Sequence, residues 1–255
     1  MSSFCNESPK VYAVVPAAGS SERMQGVGGK SKPFLVLKNG LSILEQTLAS
    51  IVAADVASGI VVVARAEDHA CTREMLSEIV PPSLDSQVVE GGLSRQESVF
   101  NGVRALKCDE ADFVLVHDAA RPFCSPVLIK SVTEAAFRSR AAILAMPVRA
   151  TVKYSSDANV VERTLAREKL WEAQTPQVFV YSLLETALIR AAKDNFIGTD
   201  ESEIVERTGL VKVSLVHGSS TNIKITTPDD LGFNIEPDVH RGVSTRHGNL
   251  HPFDF

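Results

Sequence analysis

"VYAVVPAAGSSERM", Val11 to Met24, is the stretch on which the fold turns. Its first six residues are apolar without alternation, and Val11, Val14 and Val15 are β-branched. A short continuous apolar run of this kind fits a strand covered on both faces, as in a parallel sheet. Pro16 ends it, because proline cannot donate to a ladder. Ala17, Ala18, Gly19, Ser20 and Ser21 then form a loop almost without side chains, followed by a fixed positive charge at Arg23. Small side chains let a ligand approach backbone N–H groups, and several such groups pointing one way hold an anion. Solvated basic loops are common, so it is the placement directly after a first strand that gives this one weight.

Outward from there, strand-like and helix-like segments alternate. "GIVVVA" (59–64), "DFVLVH" (112–117) and "AAILAMPV" (141–148) repeat the β-rich apolar run. Leu44, Leu48 and Ile51 recur at helical spacing along 42–54 behind Ser42 as N-cap, and Val99, Val103 and Leu106 do so along 95–106. A third helix is expected over 126–139. The alternation predicts a doubly wound α/β fold with a mostly parallel sheet flanked by helices, and ligands at the carboxyl ends of the strands. "ATVKYSSDANVVERTLA" (150–166) breaks the rhythm: two β-rich arms around a turn-like "SSDAN" read as a projecting hairpin. Such a ribbon is marginal by itself, so an exposed excursion and a dimerisation arm are equally open.

The chain has 255 residues, 44% of them hydrophobic, which is enough for one well-packed domain with an appendage. A net charge of −5, without blocks of like charge, argues against nucleic-acid binding while leaving room for a local basic pocket. No apolar stretch is long enough to cross a bilayer, and "MSSFCNESPK" lacks an apolar signal core. Cys5, Cys71, Cys108 and Cys124 are scattered with no CxxC pair, which suggests a reduced, cytoplasmic protein. Beyond Leu231 the chain ends in a segment with His240, His247 and His251 at a spacing that fits no metal motif; a mobile tail over 232–255 is expected, behind a single domain spanning 1–231.

Two phosphate motifs fail near the first loop. In "GVGGKS", Gly26 and Gly28 are followed by Ser31 where a dinucleotide fingerprint needs glycine, which disfavours a nicotinamide-dependent oxidoreductase. Met24 stands where a Walker A loop needs glycine. What remains is the small-residue loop with Arg23, then Lys30 and Lys32. A second cluster, "HDAARP", puts His117 and Asp118 at the end of the third apolar run with Arg121 beyond it. A carboxylate there could hold Mg²⁺ against a phosphate, or cap a turn. In "GGLSRQESV", Gly91 and Gly92 would let a flat ligand lie against backbone, while Ser98 is either a contact or a first-turn helix residue. "REKLWEAQTPQVF" offers Arg167, Lys169 and Thr175. "TNIKITTPDD" offers Lys224 on an expected strand, as a site residue or as a side chain snorkelling to solvent.

Taken in order, "PAAGSSERM", "SKPFLVL", "GGLSRQESV", "HDAARP", "QTPQVF", "TDE" and "NIKITTPDDL" resemble the 2-C-methyl-D-erythritol 4-phosphate cytidylyltransferase family, over roughly Tyr12 to Leu231. The resemblance implies a Rossmann-like core with the β-arm, and a homodimer formed through that arm. It implies a Mg²⁺-dependent reaction of CTP with methylerythritol phosphate that gives CDP-methylerythritol and pyrophosphate, in non-mevalonate isoprenoid synthesis. By matching positions, Arg23, Lys32 and Lys224 are the catalytic cations, with Lys30 the local competitor of Lys32; "KPFL" favours Lys32. Pro16, Ala17, Ala18, Gly19, Gly91, Gly92 and Ser98 match the CTP-binding positions. Asp118 matches the residue near metal and substrate hydroxyls, and Arg121 and Thr175 join the substrate set. Thr151 and Arg167 match positions that reach the substrate phosphate across a dimer, which tips the hairpin towards an arm.

The sequence departs from the family pattern in a slightly longer loop between Arg23 and Lys32, in Ala150 before Thr151 where Asp is frequent, and in Leu93 where an acidic residue is common. These bear on base and substrate contacts rather than on reaction type. The alternatives weighed are a ribitol 5-phosphate cytidylyltransferase, against which "PAAG" and "HDAARP" stand, and a non-catalytic nucleotide-binding regulatory module, which has no need of all three cations.

Overall fold

The computed structural model describes residues 8–19, 31–157 and 159–232. Its elements run β1 (Val11–Pro16), α1 (Ile43–Ala53), β2 (Gly59–Ala64), α2 (His69–Ile79), β3 (Asp85–Glu90), α3 (Arg95–Ala105), β4 (Phe113–Val116), α4 (Pro126–Ser139), β5 (Ala141–Pro147), β6 (Lys153–Tyr154), β7 (Arg163–Thr164), β8 (Trp171–Val180), α5 (Tyr181–Lys193), α6 (Glu201–Glu206) and β9 (Ser214–His217). Single 3₁₀ turns lie at Lys32–Phe34, Ala66–Asp68, Arg167–Lys169 and Pro228–Gly232.

The apolar runs form the middle of the sheet. β1, β2 and β4 are buried almost throughout because helices cover both faces. The seven strands lie in the order β3-β2-β1-β4-β8-β5-β9. β1 pairs in parallel with β2 and β4, β2 with β3, and β5 with β9. β8 is antiparallel to both β4 and β5, so it runs against the other six. The chain winds outward from β1 to β2 and β3, then crosses to β4 on the other side of β1. That reversal opens a crevice between the ends of β1 and β4, where ligands of doubly wound folds sit.

Helix ends are set by the residues that the sequence marks. Ser42 and Glu45 form a reciprocal capping box on α1. Ser94, Ser125 and Asp200 cap α3, α4 and α6 by accepting from the backbone N–H three residues on. Gly102, in α3, packs so closely on the sheet that a Cβ there would lie 2.5 Å from Val14 Cγ1 and 2.8 Å from Val63 Cγ2. A second, small core joins Leu35, Leu37, Ile43, Phe123 and Ile225 beneath the crevice.

The hairpin forms: β6 and β7 pair antiparallel as a separate two-stranded sheet, with Tyr154, Val160 and Val161 exposed on it. One expectation is corrected. Lys224 is not on a strand; 222–226 has no ladder. Its Ile225 is instead sunk in the small core and gives its N–H to the Ala120 carbonyl at 2.8 Å, so the segment crosses the strand ends rather than extending the sheet.

Candidate active site

The carboxyl ends of β1, β2, β3 and β4 enclose a cavity of about 570 Å³, within the range of small-molecule sites. Its walls include Pro16, Ala17, Ala18 and Gly19 after β1, Gly91 and Gly92 after β3, and Asp118 after β4. Close packing brings the first two loops together: a Cβ on Gly91 would lie 2.3 Å from Ala18 Cβ. The Gly92 N–H donates to Ser98 Oγ at 3.1 Å, and Ser98 Oγ–H to the Ser94 carbonyl at 2.9 Å. Ser98 thus shapes the glycine loop from the first turn of α3. Leu93, one residue on, stands fully exposed at the rim.

Two lysines meet here from opposite ends of the chain. Lys32 opens the turn that feeds Leu35 into the small core, and Lys224 precedes Ile225 in that same core. Lys32 Nζ donates to the Ile225 carbonyl at 3.2 Å. Lys224 Nζ lies 2.7 Å from Asp118 Oδ2. Ser31 Oγ donates to the Asp68 carboxylate, which also takes Arg65 Nε at 3.2 Å. Those bonds tie the start of the lysine turn to the end of β2, where Arg65 adds a further cation to the wall.

Asp118 is fixed from two sides. Its own N–H donates to Thr175 Oγ1 at 3.0 Å, Thr175 Oγ1 lies 2.9 Å from His117 Nδ1, and His117 Nε2 lies 3.2 Å from the Arg121 carbonyl. The carbonyl can only accept, so Nε2 carries the imidazole proton, Nδ1 accepts, and the Thr175 hydroxyl donates to it. Burial pulls His117 down to about 4 and keeps it neutral, with Asp118 opposing and Arg121 adding to the effect. Thr175 and Arg121 therefore sit behind Asp118. Arg121 is largely buried, with Nη1 donating to the Asn222 carbonyl at 2.7 Å and Nε 3.9 Å from Asp118.

On the side-chain face, Arg95 reaches Asp118 Oδ1 with Nε at 3.0 Å and Nη2 at 2.9 Å. Burial favours the protonated carboxyl of Asp118, but Arg95 and Lys224 outweigh it and hold the group well below the usual carboxylate range. Arg95 in turn is clamped by Glu201, with Nη1 and Nη2 at 2.7 and 2.9 Å from its two oxygens.

The structure thus brings together Pro16, Ala17, Ala18, Gly19, Lys32, Gly91, Gly92, Ser98, Asp118 and Lys224, as the sequence suggested. Arg23 and Lys30 lie outside the described residues, as does the tail from Phe233. Thr151 and Arg167 stand at the foot of the hairpin, exposed and away from the residues that line this cavity; Arg167 Nη1 donates to the Arg149 carbonyl. Arg65, Arg95 and Glu201 were not singled out. A signal existed for Arg95: an arginine in the first turn of a helix opposes the helix dipole, so it needs carboxylate partners elsewhere.

Among the described residues no cluster of three or more His, Cys, Asp or Glu could hold a metal by itself. Asp118 lines a cavity fit for phosphates, and of its two oxygens Oδ2 is held by the ammonium of Lys224 on its flexible stem. One carboxylate plus substrate phosphate oxygens is a donor set that suits Mg²⁺.

A nucleotide-sized, cation-lined crevice at a topological switch point defines an α/β enzyme of nucleotide chemistry. The family model described as IspD: 2-C-methyl-D-erythritol 4-phosphate cytidylyltransferase matches residues 11–234. Relatives of that name from Bacillus velezensis and Solibacter usitatus are 41% and 43% identical over 220 and 230 residues, covering 86% and 87% of this chain and 92% and 93% of theirs. The crystal structure of 4-diphosphocytidyl-2C-methyl-D-erythritol synthase from Anaerococcus prevotii superposes with a TM-score of 0.76 at 30% identity, over 88% of this chain and 96% of that one. A Francisella tularensis 2-C-methyl-D-erythritol 4-phosphate cytidylyltransferase gives 0.72 at 33%, over 88% and 97%. The chain belongs to the 2-C-methyl-D-erythritol 4-phosphate cytidylyltransferase family.

Proposed function

We propose that this cavity binds CTP and 2-C-methyl-D-erythritol 4-phosphate side by side and transfers the cytidylyl group between them, with roles for individual residues as follows. A phosphate oxygen of methylerythritol phosphate attacks the α-phosphorus of CTP, a new P–O bond forms, and the bond to the β-phosphate breaks, its electron pair leaving with pyrophosphate. The attacking monoester has a second pKa of about 6 and is largely dianionic at neutral pH, so no strong general base is required. What the protein must supply is relief of repulsion between two polyanions. Lys32, Lys224 and Arg23 supply fixed positive charge to the phosphates, and the loop Ala17–Gly19 supplies backbone. Gly91, Gly92 and Ser98 form the shelf for cytidine. Asp118 would hold Mg²⁺ together with triphosphate oxygens, and the ion would there neutralise charge on the phosphates.

The convergence of Lys32, Lys224 and Asp118 on one wall of the cavity carries this reading. The homodimer is part of the same proposal: exposed Val160 and Val161 on a two-stranded ribbon call for cover, and Thr151 and Arg167 of one protomer would reach the substrate phosphate held by its partner. Cys71, Cys108 and Cys124 are free thiols, in keeping with a reducing cytoplasm, and no helix among the described residues is long and apolar enough to cross a membrane.

A coupled pyrophosphate-release assay with Mg²⁺ tests the reading. CTP with methylerythritol phosphate should release pyrophosphate, and ATP or GTP should not replace CTP. Preference for ribitol 5-phosphate over methylerythritol phosphate would move the chain to the related polyol cytidylyltransfer. Binding of CTP without release would leave only a regulatory module.

A further inference from the structure

Glu201 is wholly buried, yet it belongs to α6, outside the loops that form the cavity. Both of its oxygens are spent on Arg95, at 2.7 and 2.9 Å. Arg95 carries the contact onward to Asp118 Oδ1, whose other oxygen holds Lys224 at 2.7 Å. The adjacent Gln96 clasps the same connection, accepting from the Gly198 N–H at 2.9 Å and donating to the Phe196 carbonyl at 3.0 Å. The first turn of α3, directly behind the glycine shelf, is therefore bolted to the segment leading into α6.

Of the three cations around Asp118, Arg121 stays back at 3.9 Å, and the two at bonding distance, Arg95 and Lys224, are not equivalent. Arg95 has four of its five N–H groups committed to carboxylates, since Nη2 faces both Glu201 and Asp118. Lys224 is a single ammonium on a flexible stem, 37% exposed, and pairs with Asp118 Oδ2 at 2.7 Å. An arriving triphosphate can draw Lys224 away, but not Arg95.

Resting on the proposed function, we infer that Glu201 is a positioning residue. It pins the Arg95 guanidinium, which borders the cavity, against Asp118, so that the carboxylate keeps its place when Lys224 turns to the phosphates and Arg95 does not itself swing round to them.

The test compares wild type, Glu201→Gln and the double variant Arg95→Met/Glu201→Leu. An amide at 201 presents an N–H to the guanidinium, so the crystal structure of Glu201→Gln should show Arg95 displaced from Asp118. In pyrophosphate-release assays its kcat should fall about tenfold or more, the scale on which groups that orient a ligand act, while KM for CTP stays within about threefold. Apolar replacement of a buried ion pair usually preserves folding, so the double variant should unfold near the wild-type temperature yet keep the kcat loss. A merely structural pair would give wild-type kcat in the double variant, and that result overturns the inference. So does a Glu201→Gln crystal with the Arg95–Asp118 bonds intact, a readout that needs no turnover. If Glu201→Gln does not fold, the kcat of the double variant decides. Absence of turnover in wild type would overturn the proposed reaction, whereas the guanidinium position would still judge Glu201.

Discussion

Behind Asp118 the protons of His117 and Thr175 are accounted for, whereas the buried Arg121 Nε–H has no hydrogen-bond partner and stops 3.9 Å from Asp118 Oδ2. The Arg121 carbonyl fixes the His117 tautomer, His117 fixes the Thr175 hydroxyl, and Thr175 receives the Asp118 N–H. Thr175, expected in the substrate set, has instead spent its single donor on His117 and stands buried behind Asp118, off the cavity wall. His117 must stay neutral for this to hold, and that links it to pH. Its native value is lowered from 6.5 to about 4, so the unfolded chain takes up the proton first as pH falls. Stability from this group is complete above 6.5, declines as pH drops towards about 4, and then levels off. By linkage the loss at pH 5 is about 2 kcal/mol. Urea unfolding at pH 7.5 and 5 should show it in wild type, and His117→Asn should lose that portion of the pH dependence. Equal slopes in the two proteins would contradict the neutral, buried imidazole.

Lys32 carries the most direct catalytic prediction. If it supplies ~4 kcal/mol in the transition state, Lys32→Ala lowers kcat about a thousandfold, with CTP binding, measured by calorimetry, weakened far less. Near-normal kcat would remove it from the role. Asp118 and Lys224 were legible as residues, but their pairing was not, because their sequence separation hides that both end at one crevice. Arg95 and Glu201 lay within quoted motifs and passed as ordinary helix residues, since neither the spacing nor the composition of a helix shows what its first turn faces.

At the scale of elements, α3 sits on two glycines with opposite tasks. Gly102 lets the helix approach β1, and Gly91 lets two loops of the cavity touch. Gly102→Ala pushes a methyl against Val14 and Val63 and should cost about 1–3 kcal/mol in urea unfolding. Gly91→Ala pushes against Ala18, in the loop that meets the nucleotide, and should raise KM for CTP more than it lowers stability. The reverse ranking would mean that the glycine shelf has been misread.

β1, β2, β4 and β5, and α1, α3 and α4, were readable to within a residue or two, because unbroken apolar runs and serine caps mark them. β8 was not. Gln174, Thr175 and Gln177 interrupt its apolar pattern, yet their side chains are buried and satisfied by Ser219, His117 and Asp200. A strand whose polar groups serve neighbouring loops looks like a turn until those loops are in view. The segment around Lys224 erred in the opposite sense, since Ile223 and Ile225 imitate a strand while packing into the small core.

For the whole molecule, the proposed homodimer sets how many copies complete a site. Val160 and Val161 are 63% and 59% exposed on a ribbon too small to stand by itself. Sedimentation equilibrium should give twice the 27.5 kDa chain mass. Val160→Asp/Val161→Asp should yield monomers that keep their fold and lose turnover, because Thr151 and Arg167 would no longer reach a partner. A wild type that sediments as a monomer at full activity would refute the arm. From the sequence, the hairpin's partner was suggested only by the family positions of Thr151 and Arg167, which tip it towards an arm in a homodimer; the exposed Val160 and Val161 of the folded protein add an apolar face to be covered.

The double escort around Asp118 also bears on inhibitor discovery. An amine fragment aimed at that carboxylate would have to evict a lysine or a clamped guanidinium already at bonding distance, and would gain little over them. A weakly acidic fragment faces no such eviction and meets ammonium groups positioned to receive it. Screening collections for this enzyme are therefore better weighted towards carboxylates, tetrazoles and phosphonates than towards the basic heterocycles common in drug libraries.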